Sequence, residues 1–116
     1  MNARLKELRA KLVEAKLDCL LVTSPANISY LVKFISHDSY LLVSRRGSVY
    51  FTDSRYADEV KPKLLKEGIT VAKFSGSISG PLVVICTIFG FKRIGFEAGS
   101  LAFAGYSKLQ KVLKKQ

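Results

Sequence analysis

The sequence has few histidines, cysteines and acidic residues, and it has no long apolar run. Its 116 residues include one histidine and two cysteines, which lack the Cys-x-x-Cys spacing of zinc sites and redox motifs. No apolar run approaches the roughly 20 residues of a membrane helix, and the charged first residues lack the apolar core of a signal peptide. We therefore expect a cytoplasmic protein with no membrane partner and no metal site of its own.

Both cysteines, Cys19 and Cys86, lie inside apolar runs. Cysteines in this setting are typically buried thiols that pack as small hydrophobic side chains. Because cytoplasmic thiols are kept reduced, a disulfide between them is not expected.

The shortage of acidic residues makes the chain strongly basic. There are 19 lysines and arginines against nine aspartates and glutamates, giving a formal net charge of +10 at pH 7. Such a charge is compatible with nucleic acid or another negatively charged partner. However, the basic residues are spread over several segments, and no nucleic-acid-binding motif accompanies them. Solvated helix faces explain the charge better, so nucleic acid is not an expected partner.

Apolar periodicity and turn signals divide the chain into alternating helices and strands. Residues 39–52 read as a hairpin, because two apolar runs meet across a turn that contains glycine. Residues 78–89 are apolar nearly all round, and their position between two strands favours a crossover helix. The predicted elements are helix 2–16, strand 19–23, helix 25–32, strands 39–44 and 48–52, a helix between Asp53 and Gly68, strand 69–74, helix 78–89, strand 92–97 and helix 100–115. This order predicts one α/β domain over residues 1–116, with a mixed sheet of about five to six strands flanked by helices.

The helix after Asp53 carries two specific expectations. Tyr56, Val60 and Leu64 recur every four residues, which predicts that they form its core face. Pro62 lies inside this pattern and lacks the N–H that would bond the carbonyl of Asp58. A kink or a restart of the helix is therefore expected at Pro62.

Several segments, taken in order along the chain, resemble one known family. They are Asn27-Ile28-x-Tyr30-Leu31-x-x-Phe34, Leu41-Leu42-Val43, Thr52-Asp53-x-Arg55-Tyr56, Lys92-Arg93-Ile94-Gly95-Phe96-Glu97 and Tyr106-x-x-Leu109. This set is similar to the N-terminal domain of the creatinase/prolidase family, which includes Xaa-Pro aminopeptidases and Xaa-Pro dipeptidases. The likeness covers essentially the whole chain.

The resemblance implies a parent enzyme of two domains, of which this chain would be the non-catalytic one. In that family a C-terminal catalytic domain holds two divalent metals, often manganese or cobalt, that activate a hydroxide against the bond before proline. This chain ends where that domain would begin, so we expect it to be inactive alone. The alternative is a free-standing protein-binding module of the same fold, as in the large subunit of the FACT histone chaperone.

The resemblance also implies where the domain acts. Family members use the N-terminal domain to form dimers or tetramers, and its loops limit the access of proline-containing peptides to an active site. By position, the loop after Phe34 would do this, and the expected contact residues are Phe34, His37, Asp38 and Tyr40. The histidine could hydrogen-bond a substrate carboxylate. An exposed loop histidine with no task is the alternative.

This loop departs from the family pattern. The chain has Val32-Lys33-Phe34 where the family usually has Thr-Gly-Phe, and residues 35–39 lack the glycines that are common there. Because glycine opens backbone angles that other residues avoid, a different path for the loop is the alternative.

Five motif residues have an architectural interpretation. Asp53 would cap a helix, Tyr56 would pack under that helix, and Arg55 would tie it to a neighbour. Asn27 would bond loop backbone, and Tyr30 is also expected to be structural. Direct contact of Asp53, Arg55 or Tyr56 with substrate is the alternative.

Overall fold

Helices and strands alternate along the chain, as the sequence predicts. The computed structural model describes residues 3–34 and 39–96. Its elements are α1 (Ala3–Glu14), β1 (Cys19–Val22), α2 (Pro25–Val32), β2 (Ser39–Ser44), β3 (Ser48–Asp53), α3 (Ser54–Lys66), β4 (Ile69–Phe74), α4 (Ser79–Phe89) and β5 (Ile94–Phe96). The predicted helix 100–115, His37 and Asp38 lie outside the described residues.

The strands form one mixed sheet in the order β4-β3-β2-β1-β5. The pairs β1–β2 and β2–β3 are antiparallel, whereas β1–β5 and β3–β4 are parallel. The α3 helix makes the crossover from β3 to β4, and α4 lies between the two edge strands β4 and β5 in sequence. The α/β class with a mixed sheet of five described strands is confirmed, and residues 79–89 are the expected helix.

Strand alternation gives the sheet two apolar faces, because successive side chains point to opposite sides. One face, here called the three-helix face, packs against α1, α2 and α3. Its buried residues are Leu5, Leu12, Val22, Ile28, Leu31, Val32, Leu41, Val43, Tyr50, Val60, Leu64 and Ile69. The other, here called the α4 face, packs against α4. Its buried residues are Cys19, Leu21, Leu42, Phe51, Ile78, Leu82 and Cys86.

The core face of α3 is shifted by one residue from the prediction at its start. Ala57, Val60 and Leu64 are buried, but Tyr56 is 39% exposed. The helical repeat of 3.6 residues explains the shift, because a buried stripe alternates steps of three and four rather than repeating every four. The prediction that Tyr56 packs under the helix is therefore wrong.

The α3 helix continues through Pro62 without a break. The expected restart does not occur. Pro62 and Asp58 both lie on the exposed side of the helix. Water can therefore donate a hydrogen bond to the Asp58 carbonyl in place of the missing N–H, which reduces the cost of the proline.

Candidate functional site

The loop that the family resemblance singles out joins α2 to β2 at one end of the sheet. There β2 begins at Ser39, opposite Thr52 of β3, and β4 ends at Phe74 opposite Asp53. We call this region the loop end of the sheet. His37 and Asp38 fall in the undescribed segment between Phe34 and Ser39, so their roles stay predictions.

Phe34 and Tyr40 flank this loop but lie on opposite faces of the sheet. Phe34 packs on the three-helix face, with its ring centroid 6.1 Å from that of Tyr50 and the Nζ atom of Lys63 5.4 Å from its centroid. Tyr40 packs on the α4 face, in an edge-on contact with Phe74 at 5.6 Å. Their side chains therefore do not form one patch, and their proposed contacts with substrate or a partner stay predictions.

The Asp53-x-Arg55-Tyr56 group follows directly at the start of α3. The Asp53 carboxylate accepts a hydrogen bond from the backbone N–H of Arg55 at 2.8 Å, which caps the helix as expected. The Arg55 guanidinium donates to the same oxygen at 3.1 Å and lies 5.3 Å from the centroid of the Tyr56 ring. The backbone bond first, and the side-chain bond second, lower the pKa of Asp53. These contacts are local and support the architectural interpretation of Asp53.

The Asn27-x-x-Tyr30 part of the motif lies on the exposed side of α2. Ser24 caps this helix, with its hydroxyl accepting from the N–H of Asn27 at 3.4 Å. The Arg4 guanidinium lies 4.1 Å from the centroid of the Tyr30 ring and donates to the Tyr30 carbonyl at 2.6 Å. Tyr30 therefore joins α1 to α2, as its structural interpretation predicts. The bond expected from the Asn27 side chain to loop backbone stays a prediction.

Sequence reasoning missed Thr52, which lies at the loop end of β3. Its side chain is almost fully buried, and its hydroxyl has no hydrogen-bond partner within residues 3–34 and 39–96. A buried hydroxyl without a partner costs about 1–3 kcal/mol. One signal in the sequence could have found it. Thr52 is a polar residue two positions after Tyr50, so it points to the same inward face of β3.

The opposite end of the sheet is fixed by Asp18, which sequence reasoning also missed. The Asp18 carboxylate accepts hydrogen bonds from the backbone N–H groups of Lys92 and Arg93, at 2.7 and 2.9 Å. Its own N–H donates to the Arg93 carbonyl at 2.8 Å. The bonds from Arg93 and Lys92 lower the pKa of Asp18. Asp18 thereby joins the beginnings of the parallel strands β1 and β5.

Part of the excess positive charge is structural. Arg9 donates to the Ser44 carbonyl at 3.1 Å, which ties α1 to the hairpin. Arg45 donates to the Leu17 carbonyl at 2.9 Å. Solvated helix faces therefore account for the basic residues only in part.

The outer side of α4 is an apolar surface. Val84, Ile88 and Phe89 are 55%, 70% and 62% exposed, and the helix contains no charged residue. The Phe89 ring stacks on Phe91 with centroids 5.6 Å apart. We call Val84, Ile88 and Phe89 the α4 strip. Beside it lies a cleft of about 580 Å³, whose lining includes Phe89, Phe91, Arg45 and Arg46.

Two features are absent from residues 3–34 and 39–96. This part of the chain contains no group of three or more His, Cys, Asp or Glu side chains that could hold a metal ion. It also has no helix with the length and apolar character needed to cross a membrane.

The family model for the creatinase/prolidase N-terminal domain matches residues 4–116. The chain belongs to the creatinase/prolidase N-terminal domain family. The solved structures agree with this assignment. The N-terminal domain of the cytoplasmic peptidase PepQ from Mycobacterium tuberculosis is 26% identical, with a TM-score of 0.86 over 100% of this chain and 88% of that one.

Two further relatives of the family domain are Xaa-Pro or uncharacterised peptidases. The Xaa-Pro aminopeptidase structure from Streptococcus thermophilus is 31% identical, with a TM-score of 0.84 over 94% of this chain and 82% of that one. The uncharacterised peptidase YqhT of Bacillus subtilis is 26% identical over 110 residues, which are 95% of this chain. The chain spans 31% of the length of YqhT.

Proposed function

We propose that this domain is the non-catalytic N-terminal part of an Xaa-Pro metallopeptidase, either an aminopeptidase or a dipeptidase. The observation that carries the proposal is the match in both sequence and fold to solved N-terminal regions of Xaa-Pro peptidases, at 31% identity in one case. The hydrolytic chemistry would belong to a C-terminal domain outside this chain. Two divalent metals held there, manganese or cobalt, would supply an activated hydroxide.

The first role that we propose for the domain is control of substrate access. Phe34 and Ser39 at the loop end are the described residues on either side of positions 35–38. His37 would hydrogen-bond the carboxylate of a proline-containing peptide, and Asp38 would border the entry path. The packing of Phe34 and Tyr40 on either face supports this role, because it fixes both ends of the segment.

A substitution in the longer protein that contains this domain tests the access role. We expect His37→Ala to raise KM about tenfold for an Xaa-Pro peptide with a free carboxylate, since a charge-assisted hydrogen bond contributes roughly 1.5–3 kcal/mol. An amidated peptide should show no such change, and Ser36→Ala in the same segment should behave as the wild type. Equal KM values for wild type and His37→Ala on both peptides would contradict this role.

The second role that we propose is assembly into a homodimer or tetramer through the α4 strip. Two copies that each carry a formal charge of +10 repel one another over most of their surfaces. The α4 helix has no charged residue and exposes three large apolar side chains, so it is a surface on which two copies can meet without that repulsion. Exposed apolar patches of this kind commonly mark interaction sites.

The assembly role is tested by the molecular mass in solution. We expect Ile88→Lys to shift the protein towards the monomer in sedimentation velocity, because it places two positive charges in the shared contact. Val13→Lys is the control, since Val13 is an exposed apolar residue of α1 and lies outside the α4 strip. The role would be contradicted by a wild type that is monomeric at tens of micromolar, or by an unchanged mass of Ile88→Lys.

A second candidate function is a free-standing protein-binding module of the same fold. The α4 strip lies beside Arg45 and Arg46, so this region could bind a partner that is both apolar and acidic. The two functions differ in the size of the native gene product. The module would be favoured by a gene product without a catalytic domain that binds acidic peptides at physiological salt. Failure to bind such peptides would exclude the module.

We also infer a cytoplasmic location. The relative PepQ is described as a cytoplasmic peptidase, which supports the inference. Cell fractionation tests it, and recovery of the protein with the membrane or secreted fraction would contradict it.

A further inference from the structure

The two cysteines of the chain are neighbours, although they are far apart in sequence. Cys19 begins β1 and Cys86 lies in the last turn of α4. Both are free thiols that are almost fully buried in the same apolar cluster on the α4 face. The two thiols are close enough for each to shift the pKa of the other.

The fold explains why the two thiols meet. In β1, Cys19 and Leu21 alternate with Leu20 and therefore point to the α4 face. In α4, Leu82 and Cys86 are four residues apart and share the inner side of the helix. The sequence pattern predicts that each thiol is buried, but only the crossing of α4 over β1 brings them together.

The folded environment keeps Cys19 in its thiol form. The hydrogen bond with Cys86, together with burial, raises the pKa of Cys19. Because the thiolate is the reactive form, Cys19 reacts slowly while α4 covers it. Cys19 is therefore protected from direct oxidation in the folded chain.

We propose that Cys19 and Cys86 form a latent disulfide site, at which a hydroperoxide covalently fixes α4 to β1. In the first step one cysteine sulfur attacks the O–O bond, which breaks to give a sulfenic acid and one molecule of water or alcohol. In the second step the other sulfur attacks the sulfenic sulfur. The S–S bond forms, the S–O bond breaks, and the oxygen leaves as water with the remaining thiol proton.

The electron count of this reaction is balanced. Two thiols are oxidised by two electrons in total, and one hydroperoxide is reduced by the same two electrons. A disulfide holds its two sulfur atoms about 2.05 Å apart, so both side chains must move for the bond to form. Thiol reductants reverse the product by exchange.

The bond would have a defined structural effect. It would link β1, which lies between β2 and β5 in the sheet, to α4, the helix that carries the α4 strip. Because it closes a long loop, it restricts the unfolded chain and stabilises the folded one. The helix that carries the α4 strip packs on the sheet with both thiols free, and the disulfide would hold it there more firmly.

Peptide mapping after oxidation tests the site. The chain is treated with hydrogen peroxide under native conditions, its remaining thiols are blocked by alkylation, and its digest is analysed by mass spectrometry. We expect a linked pair of peptides that contain Cys19 and Cys86 as the main oxidised product, and we expect dithiothreitol to abolish it. The thermal midpoint of the oxidised chain should be higher than that of the reduced chain.

Serine and alanine variants at each cysteine supply the controls. Cys86→Ser and Cys86→Ala should both remove the linked peptide and the rise in the thermal midpoint. Two variants are used so that the test still holds when one of them fails to fold. The proposal is overturned when the thiols stay free after complete consumption of the peroxide. Separate oxidation to sulfinic acid, or linkage between two molecules only, would overturn it equally.

Discussion

Replacing Asp18 should reveal how much the junction of β1 and β5 contributes to stability. Asp18→Ala removes two hydrogen bonds from backbone N–H groups to a carboxylate, at 2.7 and 2.9 Å. Hydrogen bonds to charged groups contribute roughly 1.5–3 kcal/mol each when protected. Asp18 is half-buried and its two bonds lie at an exposed position, so we expect the lower end, a total loss of about 1–2 kcal/mol in the free energy of unfolding.

Chemical denaturation measures this loss directly. For a chain of this size, about 1 kcal/mol corresponds to a shift in the thermal midpoint of roughly 4 °C, so Asp18→Ala should melt about 4–8 °C lower than the wild type. Asp58→Ala is the matched control, because Asp58 is an exposed carboxylate on α3. The control should lie within about 0.5 kcal/mol of the wild type.

The effect of Asp18 should also depend on pH, with a fixed sign. Its pKa is lowered in the folded state, chiefly by the bond from Arg93 and then by that from Lys92. The stabilisation is therefore complete above the ordinary aspartate pKa of about 3.9 and is lost as the pH falls through the lower folded value. The difference between wild type and Asp18→Ala should shrink in that acid window. A difference that is absent at pH 7, or that grows as the pH falls below 4, would refute the reasoning.

Two further substitutions test the packing. Leu64→Ala should lower the free energy of unfolding by about 2–5 kcal/mol in denaturant titrations, because Leu64 is fully buried. Leu65→Ala should change it by less than about 0.5 kcal/mol, because Leu65 is 61% exposed. Equal losses at the two positions would contradict the assigned face of α3. Thr52→Val should leave the free energy of unfolding unchanged or raise it by about 1 kcal/mol, since the buried hydroxyl has no partner in the described part of the chain. A loss of more than about 1 kcal/mol would show that the hydroxyl is bonded.

Local patterns predicted most of the secondary structure, because their signals lie within a few residues of one another. The hairpin follows from two apolar runs around Gly47, and the start of α3 follows from the capping ability of Asp53. Residues 79–89 could be assigned to a helix although they are rich in β-branched side chains, because a crossover was needed between two strands. The error at Tyr56 came from treating the helical repeat as four residues.

The arrangement of the candidate site could not be predicted in the same way. Phe34 and Tyr40 are close in sequence, but the sheet passes between their side chains and places them on different faces. Cys19 and Cys86 are distant in sequence, and only the packing of α4 on β1 joins them. Asp18 is inconspicuous in the sequence, because its partners are the backbone groups of residues 92 and 93.

A hydrolysis assay tests the central claim most directly, namely that the reaction is performed by a part of the protein outside this domain. Xaa-Pro peptides with added Mn²⁺ are offered to the longer protein that contains this domain and to the 116-residue chain alone. We predict that the longer protein hydrolyses them and that the 116-residue chain does not. Hydrolysis by the 116-residue chain alone, or none by a metal-loaded longer protein, would contradict the account.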